Sequence, residues 1–447
     1  MTTRPNQSSS AEFQPRQFLM AMWEGGGTVP PELGVAKRLM GAGHRVHVLG
    51  DPTIEASARS IGCTFSPWQR APHRTSLDPE QDLLKDWETT NPLVMLRRVR
   101  DRFLAGPAAD FAADTAAAIE LVRPDALLTD YVLFGTIIAA QAAAVPVAAL
   151  VPNIWMSPSR GTPSIGPGFA PAKTFLGRGR DAMMLGVTNR LFKGGLPALN
   201  AARAEWGLAP LTSFYDQALQ ADRILVLSSA AFDYASQVMP GNVSYVGPIL
   251  DEPDWVEPYS APVLESSDHP VVLVGFSSTY QQQGPLLQRI VDALTTLPVR
   301  GIVTLGQMLD DDAVRSSPNV AVVRSAPHGQ ILAESAVAIS HCGHGTTMKT
   351  LAAGVPMVCI PMGRDQNDTA ARVVHHGAGL RLKPTASVAD IRAAVTKVLE
   401  RDTYRVGARR LADAIETEQR SAHLIGELEA VAASASARTM TAPTRPR

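Results

Sequence analysis

Short apolar runs alternate with helical patterns along almost the whole chain. In the first half Phe18–Met22 reads as a strand, a glycine-rich turn follows at Gly25–Gly27, and Glu32–Met40 has helical spacing closed by Gly41 and Gly43. HRVHVLG (His44–Gly50), DALLTD (Asp125–Asp130), VPVAALVP (Val145–Pro152) and RILVLSS (Arg223–Ser229) are further runs of the kind a parallel sheet buries on both faces. The second half repeats the theme with VVLVGFSS, GIVTLG, VAVVR, VAIS, PMVCIP and LRLK. Helices are expected between them at Pro285–Leu297, Gly329–Glu334, Thr346–Ala353 and Thr369–His376.

This alternation predicts an α/β protein of two doubly wound, Rossmann-like domains. The stretch Asp251–Pro270 is rich in Pro, Asp, Glu and Ser, a linker composition, and it separates the halves. The expected organisation is a polar tail over residues 1–16, a first domain over 17–250, a linker over 251–267 and a second domain over 268–415. A helix over 416–432 is expected to return to the first domain, ahead of a disordered tail over 433–447. In open α/β sheets ligands bind beyond the carboxyl ends of the strands, so two such domains face each other across a cleft.

Bulk properties narrow the class. The most apolar stretch, Asp125–Val151, is interrupted by Asp130, Gln141 and Pro146 and suits a buried β-α-β unit better than a membrane span. Charged residues make up 19% of the chain at a formal net charge of -1, without a long Lys or Arg run, so nucleic acid and anionic membranes are not expected partners. The start lacks the apolar core of a signal peptide, and three scattered cysteines, Cys63, Cys342 and Cys359, read as reduced; both point to the cytoplasm. No metal-ligand spacing is present, although His341 and His344 lie close together.

The chemistry concentrates in Arg324–Leu382. A strand ending at Ser340 runs into His341-Cys342-Gly343-His344-Gly345-Thr346-Thr347, with a helix after it. Gly343 and Gly345 let an anion approach the backbone, and the first helical amides have no intrahelical acceptor, so a phosphate is favoured there. Thr346 and Thr347 are candidate helix caps and phosphate donors. Such turns also occur without a ligand, so the turn alone does not decide the function.

The surrounding spacings do more. Pro327-His328 with Ile331-Leu332, His341-x-Gly343-x-Gly345-Thr346, Gly354-Val355-Pro356, Pro361 before Asp365-Gln366, and Gly377-Ala378-Gly379 resemble the inverting nucleotide-sugar glycosyltransferases of the GT-B fold. That group includes the plant UDP-glycosyltransferases and bacterial enzymes that glycosylate macrolides and other natural products. Weaker matches at Gly25–Gly27 with Pro31, at Gly43-His44-x-Val46, at Asp130, at Val226–Ser228 and at Val246–Pro248 extend the resemblance over most of the chain. It implies a nucleoside-diphosphate sugar (UDP or dTDP) as donor substrate, an apolar small-molecule acceptor such as a polyketide or lipid, and no cofactor or metal. His341, Gly343, Gly345 and Thr346 would hold the diphosphate, with Ser278 and Thr279 reaching it from a neighbouring loop. Asp365 and Gln366 would bind sugar hydroxyls, and the backbone of Ala326–His328 would meet the base. Asp365 has an alternative reading as the cap of the next helix.

Two positions depart from the pattern. Lys349 stands where plant members carry a Glu that accepts both ribose hydroxyls, and a lysine has no acceptor. This leans towards a dTDP-sugar or relaxed donor choice. Thr28 stands where many members place the catalytic His, and its hydroxyl is no base near neutral pH. Asp130 or Glu24 is then the candidate base, since burial raises a carboxylate pKa by up to ~3–5 units. Alternatively the acceptor is acidic enough to need little help, or the protein is a non-catalytic sugar-nucleotide-binding homologue. A dinucleotide oxidoreductase is disfavoured because Glu24–Val29 does not fit G-x-G-x-x-G. The long connections Ser66–Arg102 and Pro152–Leu211 carry Trp68, Trp87, Trp155, Phe169, Phe175, Phe192 and Trp206 and are expected to shape an apolar acceptor pocket.

Overall fold

The computed structural model describes residues 14–89, 91–157, 162–234, 239–256, 258, 267–276 and 279–441. Two parallel sheets carry it. β1 (Gln17–Ala21), β2 (Arg45–Gly50), β3 (Thr64–Pro67), β4 (Ala126–Asp130), β5 (Val147–Val151), β6 (Arg223–Val226) and β7 (Val243–Tyr245) lie in the order β3-β2-β1-β4-β5-β6-β7. β8 (Val271–Gly275), β9 (Arg300–Thr304), β10 (Val320–Val323), β11 (Ser335–Ser340), β12 (Met357–Cys359) and β13 (Gly379–Arg381) lie in the order β10-β9-β8-β11-β12-β13. Every residue of β4, β5 and β8 is buried, which is why β5 and β8 read as unbroken apolar runs and β4 as one up to Thr129 and Asp130 at its carboxyl end.

Each sheet has one switch point, between β1 and β4 and between β8 and β11, where the strand order reverses. Connections leave the two neighbours in opposite directions there, opening a crevice at their carboxyl ends. Glu24–Thr28 follows β1, Phe276 follows β8 and His341 follows β11, so the residues singled out for chemistry lie at both crevices.

The two halves are packed together. Ile154 and Phe232 of the first share a buried cluster with Met348, Cys359 and Leu411 of the second. Arg372 donates to Asp233 at 2.7 Å, both side chains being 4% exposed. Past the Asp402–Ser421 helix, the Leu424–Thr441 helix sends Leu424, Leu428 and Val431 into the first half's core, and Glu429 meets His44 at 3.0 Å.

Some local expectations need correction. The final helix continues to Thr441 instead of giving way to a tail at 433, because its Ala-rich run favours helix. The connections expected to be loops contain helices at Pro92–Val99, Phe175–Lys193 and Leu196–Glu205. Their aromatic residues are mostly structural: Trp68, Trp155 and Phe192 belong to the core, and the Trp68 indole donates to the Met22 carbonyl at 2.9 Å. Phe175, by contrast, is exposed. Among the described residues no helix is long and apolar enough to cross a membrane.

Candidate active site

The turn after β11 is built on strained, closely packed backbone. Cys342 has φ +67, an uncommon conformation for a residue with a side chain, and it swings the chain from β11 into the His344–Ala352 helix. Gly343 is the N-cap residue, and the first helical hydrogen bond runs from the Thr347 amide to its carbonyl at 3.0 Å. The amides of His344, Gly345 and Thr346 thus begin the helix with no intrahelical acceptor. The threonines do not cap it as expected: the helix starts two residues earlier, and the Thr347 hydroxyl donates back to the Gly343 carbonyl at 3.0 Å.

The two glycines have different reasons to be there. A Cβ on Gly343 would stand 2.4 Å from His341 Nε2, so that glycine lets the imidazole pack over the turn. A Cβ on Gly345 would meet nothing within 4 Å, because it points into the open cleft. His341 is 6% exposed and lies against Phe276, ring centroids 5.7 Å apart. Burial lowers its pKa to about 4 against an opposing hydrogen bond with the Gly275 backbone, so the ring is neutral at ordinary pH.

The turn opens on a cavity of about 330 Å³ lined from both halves. The second half contributes Phe276, Thr304, Ala326, His328, His341, Gly343, Gly345, Thr346 and Lys349, and the first contributes Glu24, Gly26 and Gly27. His328 Nε2 lies 3.1 Å from the Thr304 hydroxyl, and burial with Lys349 nearby lowers its pKa to about 4. A side chain on Gly275 would collide with this ring at 2.8 Å. Thr279 is buried beside the helix that begins at Gly284, while Ser278 lies outside the described residues.

Asp365 and Gln366 follow β12 but differ in availability. Gln366 is 3% exposed and engaged: its carbonyl accepts from Met362 and Gly363 N–H at 2.8 and 3.0 Å, and its amide donates to Gln281 at 3.0 Å. Asp365 occupies the N-cap position without making a side-chain cap bond, so the capping reading does not hold. Its Oδ2 is buried and has no hydrogen-bond partner among the described residues, and burial raises its pKa. Arg364, a residue that local patterns did not single out, joins the halves beside it. Its guanidinium donates to Asp86 at 2.8 Å, Asp82 at 3.3 Å and the Gly25 carbonyl at 3.3 Å.

On the facing side Thr28 is buried, and its hydroxyl has no partner among the described residues. Asp130 is 2% exposed, and its carboxylate accepts from the Trp23 indole at 2.8 Å and the Val132 amide at 3.2 Å. Against it stands the carboxyl of Glu32, fully buried. Glu24 is placed differently. It lines the cleft, and its carboxylate accepts from the Gly26 amide at 2.9 Å and the Thr53 hydroxyl at 3.3 Å. Burial raises its pKa, and its own amide is anchored on Asp51 at 2.6 Å. Among the described residues no group of three or more His, Cys, Asp or Glu is arranged to hold a metal ion.

Comparison with known proteins places this geometry. Residues 288–431 match the family described as Erythromycin biosynthesis protein CIII-like, C-terminal domain. The 4'-demethylrebeccamycin synthase of Lentzea aerocolonigenes is 30% identical over 403 residues, covering 89% of this chain and 95% of that protein. The demethyllactenocin mycarosyltransferase of Streptomyces fradiae is 24% identical over 405 residues, covering 86% and 80%. Among solved structures, the glycotransferase of kitacinnamycin matches with a TM-score of 0.72 at 22% identity, covering 93% of this chain and 99% of that one. The glycosyltransferase VinC in complex with dTDP matches with a TM-score of 0.65 at 18% identity, covering 94% and 100%. The shared architecture is the GT-B fold.

Proposed function

The chain belongs to the glycosyltransferases of macrolide and other natural-product biosynthesis, and from that membership we propose that it moves a hexose or deoxyhexose from a nucleoside diphosphate (dTDP or UDP) to an apolar small molecule, with inversion. The observation that carries this reading is the turn after β11. Free amides at a helix start, a buried imidazole and unfilled space above Gly345 converge at a switch point facing a second domain. The solved relative VinC holds dTDP, which fits a diphosphate of this kind.

In the proposed reaction Glu24 accepts the proton of the acceptor hydroxyl as its oxygen attacks the anomeric carbon. The bond from that carbon to the diphosphate oxygen breaks, and the leaving diphosphate carries the displaced electron pair. Charge developing there is met by the helix amides and His341, without a metal. Glu24 is preferred to Asp130 because it opens on the cleft, whereas Asp130 is enclosed behind Trp23. Asp365 would accept a sugar hydroxyl on its unpartnered oxygen, and Ala326 and His328 would face the base. Gln366, with both ends occupied, would support the loop and not read the sugar directly.

The test is a panel of dTDP- and UDP-sugars with apolar polyketide and phenolic acceptors, read by mass spectrometry. The reading requires an acceptor that gains one glycosyl unit as nucleoside diphosphate is released. Tight nucleotide binding with no product from any pair would instead favour a non-catalytic homologue.

A further inference from the structure

Lys349 lies four residues beyond Gly345 on the helix that carries the anion turn, so the two share a face about 5–6 Å apart along the axis. Its ammonium donates at 2.6 Å to Glu252, which belongs to the segment joining the two sheets. The other carboxylate oxygen of Glu252 accepts the Gly329 amide at 2.8 Å, on the helix that starts at His328. Glu252 is thus fixed between the two helices that border the nucleotide end of the cleft. The carboxylate lines that cavity together with Lys349, Ala326 and His328, and its side chain is 30% exposed.

A carboxylate has about four lone-pair directions, and these two bonds use one on each oxygen. Two acceptor directions remain, in a cleft that Asp251 and Asp254 also line, the first carboxylate being paired with Arg38 and the second accepting from Ser57 and Ser60. A nucleoside diphosphate anchored by its phosphates at Gly345 and by its base at Ala326–His328 must carry its pentose past this point. The pentose presents hydroxyl donors there, and Lys349 has no acceptor to offer them.

We propose that Glu252 is the hydroxyl acceptor for the pentose of the donor nucleotide, with Lys349 as the positioning residue that holds it in place. This rests on the reading of the cleft as a nucleoside-diphosphate site. It assigns nucleotide recognition to a residue of the inter-sheet segment, outside the second sheet's own helices, and it moves the acceptor from position 349 to position 252.

The experiment is calorimetric binding of UDP and of its 2′,3′-dideoxy analogue to the full-length protein and to the Glu252→Gln and Glu252→Ala variants. A hydrogen bond to a charged group predicts that the intact chain favours UDP over the dideoxy analogue by about ten- to a hundred-fold. That ratio should shrink in Glu252→Gln and fall to within about two-fold in Glu252→Ala, with affinity for the dideoxy analogue little changed. The bond from the Gly329 amide can be kept by Gln, so this variant separates loss of charge from loss of fold. An unchanged ratio in Glu252→Ala overturns the assignment while leaving the nucleotide site standing, as does equal binding of both nucleotides by the intact chain. If the intact chain binds neither of these nor dTDP, the nucleotide reading itself falls.

Discussion

The carboxyl groups of Glu32 and Asp130 stand against one another in the interior of the first domain, and the charge of Asp130 raises the pKa of Glu32. Neither side chain is more than 2% exposed, and the oxygens of Glu32 have no hydrogen-bond partner among the described residues. Burial lifts Asp130 to about 6 against the lowering effect of the Val132 amide, the Trp23 indole and Glu32, and burial together with the charge of Asp130 lifts Glu32 well above the ordinary carboxylate range. A carboxyl whose pKa is raised by folding binds more protons in the native state, so its contribution to stability declines as pH climbs from the unfolded pKa through the folded one. Asp130→Asn has no charge to bury. Relative to the intact chain it should therefore gain stability between about pH 4 and pH 7, measured by urea unfolding across that range. A difference independent of pH would show that the pair does not titrate as described.

Glu24 opens on the cleft, whereas Asp130 is enclosed at 2% exposure, and the proposed base is therefore Glu24. Glu24→Gln should lower kcat by about 10²- to 10⁴-fold, with donor affinity nearly unchanged. Because burial raises the Glu24 pKa, the rate should fall as pH drops towards that raised value and the carboxylate protonates. That acid limb should vanish in whatever activity Glu24→Gln retains. Equal damage from Asp130→Asn, with the acid limb kept in Glu24→Gln, would transfer the role to Asp130.

The two glycines of the anion turn should separate fold from binding. Gly343→Ala sets a methyl 2.4 Å from His341 Nε2 and should lower the thermal midpoint along with donor affinity. Gly345→Ala meets no protein atom within 4 Å, so it should unfold like the intact chain and yet bind nucleoside diphosphate at least ten-fold more weakly. Thermal unfolding with and without UDP reads both effects in one experiment.

Arg364 is held between Asp82 and Asp86 with all three side chains largely enclosed. Arg364→Gln leaves Asp86 without its cation and Asp82 with Arg74 alone, 3.9 Å away, and should reduce unfolding free energy by about 3 kcal/mol, as breaking a buried ion pair does. Adding Asp86→Asn should recover part of that loss. Failure of the second substitution to recover any stability would mean that Arg364 acts through its bond to Gly25 alone.

Much of the fold could be read from local pattern because parallel strands buried on both faces leave continuous apolar runs. The strands from β8 to β13 were each visible in that way. β3 and β7 were missed: they are edge strands with few buried residues, and nothing in TFSP or VSY alternates clearly. The strand-to-helix turn after β11 was legible because its glycines and free amides follow from a few consecutive residues. Glu252, Arg364 and Glu32 were not, since their meaning lies in partners 97, 278 and 98 positions away, respectively Lys349, Asp86 and Asp130. Gln366 shows the converse. Its place in a motif suggested sugar contact, and only its three hydrogen bonds show it engaged elsewhere.

The proposed reaction depends on a donor diphosphate seated on the helix start beneath His341. Calorimetric titration of UDP and dTDP into the intact chain and into His341→Ala, repeated with EDTA, tests it most directly. Binding is expected in the intact chain, insensitive to EDTA, with at least a ten-fold loss in His341→Ala at an unchanged thermal midpoint. Equal nucleotide affinity in the two proteins would contradict it.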